Sequence, residues 1–486
     1  STSAYQIKAR AVATVAQITV AGQYTPTLIV ANGSDTGNGG GSVVCKYQIV
    51  TGLDTTVSGT GWGAGTYSRG TWGSGASLTA VGDILRIWTH DNFGEDLIIN
   101  VRDGGIYYWD KSTSSAPFAR AVALSDLAGA DPTTPTVAKQ VLISDRDRHV
   151  IVFGCDAQNN IGVQDPLLIR FSDQENPLVW TAQPTNTAGD LRIGTGSEII
   201  TAVETRQQIL VFTDRSLHAM QYLGPPFTFG ISLISENITI ASPLSAIAVD
   251  DSVYWMGEEE FYVYTGQVQK LPCSVRSYVF GDFNTSQSEK VTAAVNSSFS
   301  EIWWFYPSAG SETNDKYVIF NYQEQAWYYG TIARSAWIDR GISQFPISAG
   351  LDGYLYYHEF GQDDGSVNPP AAIPSFIESS QMSIGAGDNF VFLSRLIPDV
   401  TFDGSSSPTP SVSMTLETRQ FPGTAYTGTK SNTVQRSATV PVEQFTDQVF
   451  VRLRGRSFAF KIDSSDTGVE WRLGTPRVDL RPDGRR

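Results

Sequence analysis

The chain has few of the residues that mark helical, metal-binding or disulfide-stapled proteins. Its 486 residues include 4 Met, 4 His and 3 Cys, and only 17% are charged, against a usual share of about a quarter. No segment of about twelve residues repeats apolar side chains at helical spacing. No run of about eighteen apolar residues predicts a membrane span, and no signal peptide opens the chain. We therefore expect few helices and no membrane span.

The scarce cysteines and histidines carry no recognisable chemistry. The cysteines are odd in number, far apart and lack CxxC spacing, which favours buried apolar roles in a reducing cytoplasm over disulfides or a metal site. The histidines show no metal-ligand spacing, and we interpret them as ordinary strand residues. No GxSxG, P-loop, HExxH or dinucleotide fingerprint occurs. We expect no catalytic residues, no metal and no cofactor. The cysteines are Cys45, Cys155 and Cys273, and the histidines are His90, His149, His218 and His358.

What the chain does contain is typical of strands and tight turns. Gly is abundant (45 residues) and aromatics make up 11%, and short apolar runs alternate with Asp, Gly and Asn turns. Paired runs recur at spacings of roughly 40 to 65 residues, the size of a propeller blade. The pairs are 82–88 with 103–110, 148–153 with 165–171, 208–212 with 214–218, 251–255 with 260–264, and 300–305 with 316–320, followed by a single run at 352–357.

This pattern predicts an all-β chain in three parts. Residues 79–367 are expected to form a β-propeller of about six blades, with a pair of stacked β-sandwiches as the alternative. Residues 1–78 form a Gly/Thr-rich β domain, inserted or N-terminal, whose Gly/Trp stretch 61–73 is either a surface loop or a ligand loop. The prolines at 369 and 370 mark a boundary, and 368–486 read as an antiparallel β-sandwich.

The formal charge of −15 is unevenly distributed. Residues 1–75 carry +2 and residues 450–486 carry +4, so −21 lies between them. A body this acidic is poorly suited to gripping a phosphate backbone, because phosphate binding needs Lys and Arg. It is suited to lining a passage along which DNA slides without adhesion.

Three motifs have both a chemical and a structural interpretation. Adjacent acids at Glu258, Glu259 and Glu260, or at Asp363 and Asp364, could supply the carboxylates of a glycosidase; the Glu run could instead line a lumen, and solvated loops are the simplest reading. The 464–471 stretch fits an Asp-box turn, for which we expect a structural role. The Arg452-Leu453-Arg454-Gly455-Arg456 run is interpreted as ion-pairing between strands or subunits, with phosphate binding as the alternative.

The C-terminal segment is the most specific part of the chain. It resembles the end of the tail nozzle proteins of short-tailed double-stranded DNA phages, also called packaged-DNA stabilisation proteins. Weaker similarity covers the Tyr-Gln-Ile strands at 5–7 and 47–49, the Gly/Trp stretch, and 376–399. The candidate assembly residues that carry the resemblance are Arg454, Gly455, Arg456, Trp471, Arg472, Gly474, Arg477, Asp479, Arg481, Asp483, Gly484 and Arg485.

The resemblance implies a structural virion protein of the tail, assembled in the bacterial cytoplasm and not an enzyme. It implies a hexameric tube below the portal and adaptor rings that retains packaged DNA, channels it during ejection, and contacts spike, fibre or needle proteins. Nozzle proteins usually have more chain before the Tyr-Gln-Ile region, so we expect a longer natural start. A carbohydrate-binding or glycan-cleaving propeller and a receptor-binding tail spike are the alternatives.

Overall fold

The computed structural model describes residue 85 and residues 87–112, 121–383, 389–419 and 436–484. The chain divides into two compact units, Ser1–His358 and Glu359–Arg486, here called the propeller unit and the sandwich unit. The division falls after His358, whereas the prolines placed the boundary at 368. The predicted domain of residues 1–78, with its Gly/Trp stretch, lies outside the described residues.

Helices are short and rare in the described ranges, as the missing periodicity predicts. The one α-helix there, α1, spans Arg276–Phe280, and two 3-10 helices span Leu124–Asp126 and Thr285–Lys290. No helix in the described ranges is long and apolar enough to cross a membrane.

The described part of the propeller unit contains six successive antiparallel sheets. The first is formed by β1 (Trp88–Phe93), β2 (Asp96–Val101), β3 (Ile106–Trp109) and β4 (Val122–Ala123). The second runs through β5 (Gln140–Ile143) and β6 (Val150–Phe153), is interrupted by a side hairpin of β7 (Asp156–Ala157) and β8 (Asn160–Gln164), and continues with β9 (Leu168–Phe171) and β10 (Gly189–Arg192). The third consists of β11 (Ile199–Glu204), β12 (Ile209–Thr213), β13 (Ser216–Gly224) and β14 (Thr228–Glu236).

The remaining three sheets follow the same order along the chain. The fourth consists of β15 (Ala246–Val249), β16 (Ser252–Met256), β17 (Phe261–Tyr264) and β18 (Val268–Leu271). The fifth consists of β19 (Thr292–Asn296), β20 (Glu301–Tyr306), β21 (Lys316–Asn321) and β22 (Ala326–Thr331). The sixth has three strands, β23 (Arg334–Ile338), β24 (Ile347–Gly350) and β25 (Leu355–Tyr357). Each sheet is therefore a local meander, as in a propeller blade.

Packing between the sheets gives the unit its propeller architecture. Apolar clusters join the first sheet to the second, the second to the third, and so on to the sixth. The leading strands β1, β5, β11, β15, β19 and β23 lie beside one another in that order. Trp255 and Trp304 are fully buried between sheets, so aromatic side chains supply much of the inter-sheet core. Successive sheets arranged around adjacent leading strands define a β-propeller.

Four of the predicted strand pairs are confirmed as the middle strands of a sheet: β6 with β9, β12 with β13, β16 with β17, and β20 with β21. The first predicted pair is wrong. Ile106–Trp109 pairs with Asp96–Val101 and not with 82–88. The Asp96–Val101 run has only a short apolar centre between Asp96 and Asn100, so the sequence does not show it as a strand. Asn100 is fully buried, and its side-chain amide donates to main-chain oxygens, including that of Val101.

The sandwich unit has two main antiparallel sheets, as predicted. Its strands are β26 (Asp363–Asp364), β27 (Ala371–Ala372), β28 (Ser375–Glu378), β29 (Met382–Ser383), β30 (Val391–Ile397), β31 (Val400–Thr401), β32 (Ser411–Arg419), β33 (Arg436–Glu443), β34 (Val449–Gly455), β35 (Ser457–Ser464), β36 (Arg472–Leu473) and β37 (Arg477–Pro482). One sheet has the order β28-β35-β32-β33 with β29 also on β35, and the other has the order β34-β30-β37. Two small pairs, β26 with β27 and β31 with β36, complete the unit.

Alternation of buried and open positions orients the two sheets toward one core. Along β32 and β34 every second side chain is buried, which is the two-residue period of a half-buried strand. Leu393, Met414, Leu453 and Ile462 are among the core residues of a single cluster fed by both sheets. The outward side chains of β34 and β37 face away from this core, and they include Arg452, Arg454, Arg477 and Arg481.

Candidate functional site

The acids at 258–260 lie in the turn between β16 and β17, and basic side chains pair with Glu259 and Glu260. Glu260 receives Arg276 Nε at 3.2 Å and Lys270 Nζ at 3.5 Å, and Arg276 also reaches Glu259 at 3.8 Å. Glu258 and Glu259 are exposed. This is an ion-paired surface turn whose carboxylates do not converge on a pocket, so its geometry does not favour the glycosidase reading.

A second group of acids lies where the leading strands of the first three sheets end. Glu204, the last residue of β11, accepts a hydrogen bond from the main-chain N–H of Asp145 at 3.1 Å. Asp91 on β1 accepts from the N–H of Ile143 at 2.8 Å. Asp145 and Asp147 belong to the turn between β5 and β6. Four carboxylates from three sheets are thereby assembled at one end of the leading strands, here called the acidic cluster.

The acidic cluster perturbs its own titration. Burial, followed by the negative charges of Asp145, Asp91 and Asp147, raises the pKa of Glu204 to about 7. Burial is also the main cause that raises the pKa of Asp91 above its ordinary value. Like charges in a partly desolvated site disfavour ionisation of each other. The acidic cluster therefore becomes more negatively charged as the pH rises through neutrality, because Glu204 loses its proton there.

The opposite ends of the same leading strands carry a mixed charge network. Lys139, just before β5, is 6% exposed, and its Nζ lies 3.0 Å from Asp103 and 2.7 Å from Glu198. Arg102 donates to the carbonyl of Ile200 at 2.8 Å, and burial lowers the pKa of its guanidinium. These contacts link the first three sheets at the end of the leading strands opposite the acidic cluster.

Sequence reasoning missed both networks because their members are separated by up to about a hundred positions and belong to different sheets. No motif links Asp91 to Glu204, and only the side-by-side order of β1, β5 and β11 brings them together. The recognisable signal was the concentration of negative charge in the middle of the chain.

The C-terminal motif is built into the β34-β30-β37 sheet. Arg454 on β34 pairs with the carboxylate of Asp483, and its guanidinium lies over the ring of Phe390. Arg456, just after β34, stacks on the same ring. Gly455 is the last residue of β34, where an added Cβ would lie 2.6 Å from Cβ of Thr418. Because the Arg454 guanidinium is already paired with Asp483, the ion-pairing interpretation of the Arg452–Arg456 run is favoured over phosphate binding at Arg454.

The second half of the motif closes the sandwich. Trp471 is half-buried, packs on the core and donates its indole N–H to Ser375 Oγ at 2.9 Å. Gly474 and Thr475 donate their main-chain N–H groups to Asp399 at 2.7 Å each. A shallow groove of about 500 Å³ runs along Trp471, lined by residues 375–377 and 469–473. These contacts give the tryptophan and the glycine structural roles.

The remaining motif residues lie on the surface of the unit. Arg472 on β36 pairs with Glu470 at 3.1 Å. Arg477, Asp479 and Arg481 lie on the edge strand β37, where Arg481 reaches Asp479 at 3.8 Å. Gly484 has a φ of 76°, a left-handed conformation that glycine adopts readily, and Arg485 lies outside the described residues. The 464–471 stretch forms a turn, with Gly468 donating to Asp363 Oδ1 at 2.7 Å, as expected for its structural reading.

The histidines and cysteines of the described ranges are not arranged as a catalytic or metal-binding site. His149, His218 and His358 bond to hydroxyl groups of Thr187, Thr195 and Ser348, respectively, and His90 is exposed on β1. Burial raises the pKa of the thiols of Cys155 and Cys273, and neither forms a disulfide in these ranges. No group of three or more His, Cys, Asp or Glu there is arranged to hold a metal ion.

Comparison with known proteins gives distant structural likenesses. No protein-family model and no curated protein sequence matches the chain. Hsv2 of Kluyvelomyces marxianus is 7% identical with a TM-score of 0.33, over 58% of this chain and 75% of that one. The computationally designed Ika8 protein is 11% identical with a TM-score of 0.34, over 63% and 81%. The AfRom2 CNH domain is 13% identical with a TM-score of 0.31, over 59% and 84%. Because these TM-scores are below 0.5, the propeller assignment rests on the sheet order and packing of this chain.

Proposed function

We propose that the chain is a subunit of a phage tail nozzle, in which six copies surround a channel that retains double-stranded DNA and conducts it during ejection. The observation that carries the proposal is the C-terminal motif. Its residues resemble the end of nozzle proteins, and in this fold they form an edge strand, an aromatic–arginine stack and a core tryptophan. Such residues serve assembly and stability, as expected of a virion part.

The charge pattern supports the channel role. The acidic cluster lies at the ends of leading strands, and −13 of the chain's formal −15 lies in the propeller unit. Negative groups beside DNA remove the counterion-release attraction that holds a polyanion on a protein. In the proposed mechanism the protein does no covalent chemistry: it shapes the passage, keeps phosphates from adhering and forms contacts with the neighbouring rings and fibres.

Electron microscopy tests the proposal directly. Virions carrying a label on this chain and the purified protein should both be imaged. The expected result is a six-fold tube on the tail axis. A monomer, or a trimer placed away from that axis, would overturn the nozzle assignment and favour a receptor-binding spike or a glycan-active propeller.

Charge reversal tests the channel role separately. Virions with Asp145→Lys and Glu204→Lys should release DNA more slowly, because cationic side chains at the acidic cluster would hold phosphates. Virions with Asp126→Lys and Glu312→Lys provide a control of equal charge change at two exposed positions of the same unit. Equal DNA release by both sets of virions and wild type would remove the acidic cluster from the channel.

A further inference from the structure

The outward side of the β34-β30-β37 sheet collects arginines from three strands. Cross-strand register aligns Arg454, Phe392 and Arg481 in one row, and Phe450, Arg395 and Asp479 in the next. Arg452 lies between the rows on β34, and Arg477 faces Ile397 at the start of β37. This arginine face therefore consists of Phe392, Arg395, Phe450, Arg452, Arg454, Arg477, Asp479 and Arg481.

The arginine face is open to solvent, and only some of its arginines are ion-paired. Phe450 is 72% exposed near its centre, and Arg452 and Arg477 are exposed as well. Arg454 is paired with Asp483, and Arg481 with Asp479. Arg452 and Arg477 form no ion pair with any residue that the structure describes. A sheet face with uncompensated arginines around an exposed aromatic ring has the composition of a protein interface, in which Arg and aromatic residues dominate binding.

Charge identifies the kind of partner. The sandwich unit has 13 basic and 15 acidic residues, a formal −2, so −13 of the chain's −15 lies in the propeller unit, residues 1–358. Asp479 stands among the arginines and would repel a phosphate backbone, whereas a protein surface with mixed polar groups accommodates it. We infer that the arginine face binds the acidic propeller unit of a second copy of this chain. The inference rests on the proposed function and names one of its subunit contacts.

The test is self-association measured by sedimentation velocity across protein concentration, at about 50 mM and about 500 mM salt. The full chain carrying Arg452→Glu and Arg477→Glu is compared with the wild type. Lys461→Glu with Arg472→Glu, at two basic residues of the sandwich unit that lie outside the arginine face, gives the same change in net charge and leaves the propeller unit unaltered. Phe450→Ala adds an uncharged variant, and circular dichroism checks that every variant is folded.

The expected result is association of wild type that weakens at high salt, because charged interfaces are screened. Association should weaken at least about 30-fold in the Arg452/Arg477 variant, weaken in Phe450→Ala, and change by less than about 3-fold in the Lys461/Arg472 control. Unchanged association of the Arg452/Arg477 variant, or a wild type that stays monomeric at all concentrations, would overturn the inference.

A duplex DNA probe of about 25 base pairs separates the main competing occupant. Binding of the probe by wild type, lost in the Arg452/Arg477 variant but kept in the control, would assign the arginine face to phosphates and overturn the inference. The proposed function has a separate outcome: a six-fold tube on the tail axis with unchanged association of the Arg452/Arg477 variant would retain the nozzle and reject only this contact.

Discussion

The guanidinium of Arg454 lies 4.2 Å from the centroid of the Phe390 ring. Phe390 is 8% exposed, and its main chain exchanges hydrogen bonds with 483–484: its oxygen accepts from Asp483 N–H, and its N–H donates to Gly484 O, both at 2.7 Å. One aromatic residue thus joins the approach to β30, the end of β34 and the C-terminal strand.

Replacing Phe390 by Leu should loosen the C-terminal strand. The change keeps apolar bulk but removes the π-face beneath two guanidinium groups, a loss of about 1–2 kcal/mol in a partly desolvated site. Hydrogen exchange of the β37 amides should accelerate by roughly 5–30-fold. Phe445→Leu, at a residue that is 88% exposed, is the matched control. Equal exchange rates in both variants would show that the stack contributes nothing.

Gly455→Ala should destabilise the sandwich unit. The new Cβ would lie 2.6 Å from Thr418 Cβ and 2.9 Å from the Arg419 carbonyl oxygen, so backbone must shift, at a cost of about 1–3 kcal/mol. Thermal unfolding followed by hydrogen exchange of β32 and β34 measures the loss. Gly365→Ala has open space around it and should be neutral or slightly stabilising. A Gly455 variant as stable as the Gly365 control would contradict the close approach.

Glu204 should make stability fall as the pH rises. Its folded-state pKa is about 7 against an ordinary value of 4.5, so the folded state holds a proton that the unfolded state has lost between these values. The free energy of unfolding therefore decreases from about pH 4.5 to 7. Glu204→Gln, which keeps an acceptor for Asp145 N–H, should flatten this decrease and gain about 1–2 kcal/mol at pH 8. Urea midpoints across that range, with Glu258→Gln as control, would refute the prediction if both variants track wild type.

His358 should have the opposite pH dependence at lower pH. Burial, and then the charge of Arg334, lower its pKa from 6.5 to about 4, and Arg334 Nε donates to its Nε2 at 3.1 Å. The unfolded state binds the proton first, so stability is lost as the pH falls from about 6.5 toward 4. NMR titration of the ring carbon signals gives the pKa directly. His358→Gln should reduce the acid loss and His90→Gln should not; a His358 pKa near 6.5 would contradict the environment described.

The sequence predicts the fold class well because strand alternation and turn residues are local. The pairs β6–β9, β12–β13, β16–β17 and β20–β21 were all recognisable as apolar runs bounded by Asp, Gly or Asn. The strand Asp96–Val101 was missed because its apolar centre is short. Its partner was then assigned to the preceding run.

The sites were less accessible to sequence reasoning. The Glu run at 258–260 was visible as a motif, yet its basic partners come from other elements, Lys270 from β18 and Arg276 from α1. The acidic cluster depends on neighbouring strands of different sheets, and the arginine face depends on the register of β37 against β30. Neither follows from spacing along the chain.

Strand order also has a consequence for how the polypeptide emerges from the ribosome. In the propeller unit each of the six described sheets uses strands that are consecutive along the chain, apart from the small β7–β8 side hairpin, so a sheet can form soon after its own residues are synthesised. The sandwich unit cannot follow that course, since β28 pairs with β35 and Val391 pairs with Pro482. Its folding waits until β35 and β37 have been synthesised, so these late strands decide whether a nascent chain can complete its sandwich unit.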